Sequence, residues 1–140
     1  FPDDLVEPIS RLVTNSVSCT ASFTQRAAIE ATDGPQEDSN RMVEEFKKRR
    51  SIVVEGLNNI KGIKCAIPSG AFYAFPNVEG TGMSSSDFAN KVLEEAGVAV
   101  LSGESFGKYG TGHIRISFAN SAENLVAAID RIQKFVESKS

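Results

Sequence analysis

One arginine stands out by its neighbours. In Gly112-His113-Ile114-Arg115-Ile116-Ser117-Phe118-Ala119-Asn120-Ser121, three apolar residues (Ile114, Ile116, Phe118) alternate with His113, Arg115 and Ser117. Strand side chains point alternately to opposite faces, so this spacing predicts a strand with one apolar face. A guanidinium in the middle of such a strand is costly to bury unless an anion satisfies it, and its planar fork of donors matches a carboxylate. Arg115 is therefore the candidate for gripping a carboxylate. Two structural readings stand beside that one: an internal pair with an Asp or Glu, and an edge-strand arginine that reaches solvent.

Other chemistry-bearing patterns are incomplete. Gly103-Glu104-Ser105-Phe106-Gly107-Lys108-Tyr109 looks like a phosphate-binding loop but is one residue short. Tyr109 stands where a hydroxyl for magnesium belongs, and a strand follows where a helix is needed. Ser105 and Lys108 have Ser-x-x-Lys spacing, but the glycine between them argues for a turn and not for the helix start such pairs use. His113 is the only histidine and has no triad around it. No spacing of His, Cys, Asp or Glu marks a metal site.

The totals narrow the class further. A 140-residue chain of net charge -3 has no basic footprint for nucleic acid or an anionic membrane. No apolar run has the length of a spanning helix. Cys19 and Cys65 lack partner spacing, which predicts free thiols in a reducing cytoplasm. The chain opens Phe1-Pro2-Asp3-Asp4 without an initiator methionine, and these residues read as the continuation of a longer protein.

The elements that must position Arg115 follow from the pattern. Asp3 or Asp4 is expected to cap a short helix through Leu5, Ile9 and Val13, with Pro8 early in it, and Thr14 to Thr20 is expected to be extended or irregular. A helix from Ser22 to Ala31 should stop at Asp33-Gly34. Pro35 opens the longest helix, whose apolar face is Met42, Val43, Phe46, Val53, Leu57 and Ile60, ending at Gly62. Within it, Lys47-Lys48-Arg49-Arg50 follows Glu44 and Glu45 at the spacing of ion pairs to Lys48 and Arg49, so the run is a solvated helix face.

Beyond that helix, 63–67 and 71–75 read as strands joined through Pro68-Ser69-Gly70, and Gly80-Thr81-Gly82 as a flexible loop. Ser84, Ser85 or Ser86 caps a helix that stops at Gly97, and Val98 to Leu101 reads as a short buried strand. The four glycines between Ser102 and Gly112 predict a loop that could let the neighbouring rim move as a unit, and Ser121 caps a last helix through Val136. The order β-β-α-β-β-α behind a long helix predicts an α+β domain: a small mixed or antiparallel sheet with helices packed on it.

Three segments, in order, carry a resemblance: Gly70-Ala71-Phe72-Tyr73-Ala74-Phe75-Pro76; Gly97-Val98-Ala99-Val100-Leu101-Ser102-Gly103 with Phe106-Gly107; and His113-Ile114-Arg115-Ile116-Ser117-Phe118-Ala119. Thr24-Gln25, Ala27-Ala28, Glu30-Ala31 and Gly34-Pro35-Gln36 extend it upstream. Together they resemble the C-terminal part of the class I and II pyridoxal-phosphate-dependent aminotransferases, near the aspartate aminotransferase branch.

That resemblance implies the small domain of a fold-type I enzyme over residues 35–140, with 1–34 as a helical connecting segment from an N-terminal large domain. It implies a homodimer that moves an amino group between an amino acid and a 2-oxo acid, with Arg115 binding the substrate α-carboxylate. The cofactor would be pyridoxal 5'-phosphate in the full-length parent. Its lysine belongs to an upstream Ser-x-x-Lys segment, so this chain alone is expected neither to bind the cofactor nor to transaminate. Ser18-Cys19-Thr20 stands where many relatives have Ser-Asn-Pro, and Thr14 and Asn15 stand where some aspartate-specific relatives place an arginine, so dicarboxylate specificity gains no support. Alternatives are a non-catalytic amino- or oxo-acid-binding or dimer-assembly module, and another pyridoxal-phosphate reaction on the same fold.

Overall fold

A computed structural model describes residues 2–139, which form two compact units that meet in sequence between Asn40 and Arg41. The first holds α1 (Asp3–Val17) and α2 (Ser22–Asp33). Here α1 outruns the expected short helix, passing through Pro8 and taking in Thr14, Asn15 and Ser16. There the polar side chains bond back within the helix: Thr14 Oγ1 donates to the Ser10 carbonyl (2.8 Å), Asn15 Nδ2 to that of Arg11 (2.7 Å) and Ser16 Oγ to that of Leu12. Such bonds give mid-helix polar side chains a partner. Asp3 and Asp4 lie inside its first turn, where the helix dipole favours them, and not at the cap, which is Pro2. No residue of α1 or α2 is buried.

The core lies wholly in the second unit. From α3 (Glu37–Asn58) come Val53, Val54 and Leu57, followed by Ile60 and Ile63. Met42 and Val43, expected on the same apolar face, are exposed. Helix α4 (Ser85–Ala96) adds Phe88 and Val92, and α5 (Ala122–Ser138) adds Leu125, Ile129, Ile132, Phe135 and Val136. Burying one such side chain contributes roughly 1.5–3 kcal/mol. The predicted serine caps hold: Ser84 accepts from the Asp87 N–H and Ser121 from the Asn124 N–H.

These helices frame an antiparallel sheet of three short strands, β1 (Tyr73–Ala74), β2 (Leu101–Ser102) and β3 (Ile114–Ser117), in the order β1-β3-β2. Tyr73 pairs with Ser117 and Leu101 with Arg115. The expected strand at 63–67 does not form, and that at 71–75 shrinks to Tyr73–Ala74. Asn58 occupies the backbone of Cys65 in both directions (Nδ2 to O, 2.9 Å; N to Oδ1, 2.8 Å), so the hydrogen bonds of a hairpin partner are already taken. Only a single bridge, Lys64 with Asn77, remains of that strand. The expected strand at 98–101 shrinks to Leu101–Ser102, with Leu101 exposed.

Candidate functional site

Arg115 occupies the central strand, with Ile114 and Ile116 buried on the opposite face. It is no edge-strand arginine, and among the described residues no Asp or Glu pairs with it. Its guanidinium carbon sits 4.3 Å from the centroid of the Tyr73 ring and 4.4 Å from that of Phe106. The cation is therefore held by ring faces, which attract it through their quadrupoles without offering a counter-charge.

The strand order explains Tyr73, which faces Ser117 across the β1–β3 ladder, two residues along the same face from Arg115. Phe106 reaches the site from the loop between β2 and β3. That loop is two 3-10 turns, Gly103–Phe106 and Lys108–Gly110, in which Gly103 and Gly110 serve close backbone approach. Gly103 donates to the His113 carbonyl (2.7 Å), and a Cβ on Gly103 would lie 2.2 Å from the Gly110 oxygen. Gly107, at φ +102°, occupies backbone space that side-chain-bearing residues avoid. Glu104 ties the first turn to α4 by accepting from the buried Ser85 hydroxyl (2.9 Å).

The neighbouring residues have structural duties. His113 stacks on Phe75 (5.3 Å, 10° between planes), with Nδ1 2.9 Å from the Thr111 carbonyl oxygen. Phe75 meets Phe106 edge-on at 6.1 Å. Lys108 lies over the Tyr109 ring, and no hydrogen bond joins it to Ser105 among the described residues. The Lys47–Arg50 run is a helix face as expected, although Glu44 pairs with Lys47 (2.6 Å) and not with Lys48, while Glu45 pairs with Arg49 (3.0 Å). Cys19 and Cys65 are free thiols, and burial pushes the Cys65 thiol up despite an opposing backbone hydrogen bond from Phe75. No metal-holding cluster occurs, and no helix is long and apolar enough to cross a membrane, among the described residues.

Sequence reasoning singled out Arg115 but gave Tyr73 and Phe106 no role. Both lie within the segments that carry the resemblance, yet their meeting at one guanidinium depends on strand register and loop path, which periodicity does not report.

A small α+β domain presenting an unpaired arginine from its central strand is the class these observations define. The sequence profile described as "Aminotransferase class I and II" matches residues 2–132, and the chain belongs to that family. It is 45% identical over 142 residues to an aspartate aminotransferase of Pyrococcus horikoshii, covering 99% of this chain and 36% of that protein. To an aromatic-amino-acid aminotransferase of Thermococcus litoralis it is 36% identical over 140 residues, covering 99% of this chain and 36% of that protein. The solved aspartate aminotransferase of Rhizobium meliloti superposes with a TM-score of 0.88 at 34% identity, over 96% of this chain and 36% of that chain. The chain thus spans about a third of the length of the relatives it matches.

The family implies pyridoxal phosphate in the parent enzyme. The groups gathered at Arg115 do not fit that cofactor. They are aromatic rings, with no amine for its aldehyde and no cluster of donors for its phosphate.

Proposed function

We propose that this chain is the C-terminal part of a pyridoxal-phosphate-dependent aminotransferase, in which Arg115 binds the α-carboxylate of the substrate. Residues 35–140 act as its small domain and 1–34 as the segment connecting it to the large domain. The parent is a cytoplasmic homodimer that exchanges an amino group between an amino acid and a 2-oxo acid, and this chain alone is inactive. The observation that carries the reading is the guanidinium itself, on the central strand, flanked by Tyr73 and Phe106 and paired with no carboxylate among the described residues.

Close to two rings that offer no counter-charge, the guanidinium keeps its N–H edge for a ligand. That edge binds a carboxylate through two parallel hydrogen bonds and fixes the plane as well as the position of the group. Holding the carboxylate in a defined plane orients the bonds at the adjacent carbon, which is what a reaction at that carbon requires.

Arg115→Lys in the full-length enzyme tests this. Lysine keeps the charge but is a point donor without the fork, so kcat/KM should fall by an amount equivalent to about 2–5 kcal/mol. Unchanged steady-state kinetics in that variant would refute the assignment.

A further inference from the structure

We infer that Tyr73 and Phe106 are positioning residues for the Arg115 guanidinium, setting the plane in which a carboxylate is received; this rests on the reading of Arg115 as the carboxylate anchor. The two rings lie at nearly equal distances from the guanidinium carbon, 4.3 and 4.4 Å, and arrive from different elements. An arginine has several rotatable bonds, and ordering it for a ligand costs conformational entropy. Packing against two rings from different elements restricts that freedom before the ligand arrives. The usual alternative, a carboxylate partner, would hold the arginine equally still but would compete with the incoming anion for the same donors.

The rings are themselves held. Tyr73 packs against Phe72 at 4.5 Å, and Phe72 lies 6.2 Å from Phe46, which lies 6.3 Å from the buried Phe118. On the other side Phe106 rests against Phe75, on which His113 stacks. The turn that carries Phe106 is fixed by the close backbone approach of Gly103 and Gly110 and by the Ser85–Glu104 hydrogen bond. Arg115 thus sits inside a run of rings leading from the loop to the core. Phe106 is 48% exposed, so about half of it lies outside the packing of the fold, and the rest meets Arg115 and Phe75.

The test is calorimetric titration of the cofactor-loaded full-length enzyme with two acids that lack the reacting amine, succinate and 3-phenylpropionate, and with their amides, succinamide and 3-phenylpropanamide. Wild type should bind at least one acid more tightly than its amide. Phe106→Leu and Tyr73→Leu should each weaken the acid about three- to tenfold and leave the amide unchanged, while Phe106→Tyr and Tyr73→Phe, which keep a ring, retain wild-type values. Melting temperatures, recorded alongside, should stay close to wild type for the Phe106 pair. Acid affinity unchanged in both leucine variants, or acid and amide weakened alike, would overturn the positioning role. Arg115→Lys separates the two levels: if it too leaves acid binding unchanged, or wild type does not prefer the acid, the carboxylate anchor itself fails.

Discussion

Packed against two rings, a guanidinium loses part of its hydration but keeps its donors along the edge. Arg115 is in that state, and its alternation with Ile114 and Ile116 was enough to single it out in the sequence. Its ring partners were not legible, because a period-two pattern describes one strand and is silent about what another strand or a loop lays across it. A second residue-scale effect sits at the start of α5. Its own backbone N–H, then the Ser121 hydroxyl and, more weakly, Arg49 hold the Glu123 carboxyl below the usual carboxylate range. A carboxyl depressed in the folded state stabilises the fold above its ordinary pKa, and that contribution is lost as pH falls through the depressed value. Glu123→Gln should therefore lower the melting temperature at neutral pH, and the gap from wild type should close as the medium is made acidic enough to protonate the carboxyl. Thermal unfolding across a pH series checks the sign, and a gap that widens towards acid would contradict it.

At the scale of elements, local signals were reliable where one side chain governs a helix end. Ser84, Gly97 and Ser121 do what their types predict: two accept from orphan N–H groups, and the glycine turns left-handed at φ +65°. Ser121→Ala should cost about 1 kcal/mol of stability, measurable as a lower urea midpoint with unchanged slope. Elements whose fate depends on competition for backbone groups were less legible. Asn58 takes the backbone groups of Cys65 that a strand would use, and Thr14, Asn15 and Ser16, whose side chains bond inward to their own helix, belong to α1. In both cases a polar side chain of ordinary turn type makes a bond that propensity does not anticipate. The glycine-rich stretch after Ser102 was correctly read as a loop, but two of its glycines, Gly103 and Gly110, meet backbone to backbone.

For the whole molecule, burial divides the chain unequally. All core residues follow Arg41, whereas Leu5, Val6, Leu12, Val13, Val17, Phe23 and Ile29 of the first unit are exposed. Backbone without tertiary burial opens more often and is cut first. Limited proteolysis of this chain should therefore clip within residues 1–40 and leave a resistant product close to 41–140, identified by mass; early cuts inside α4 or α5 would contradict that distribution. The fold class and the family were legible because three short segments recur in order. The role of each segment's individual residues was not, since motif order carries no geometry. The contact between Gly103 and Gly110 has a consequence for redesign. Both glycines are buried, and residues 104–109 between them are all exposed. The glycines close the stem of the loop, so a change at the tip such as Phe106→Leu can alter what the loop lays on Arg115 while the strands on either side keep their register.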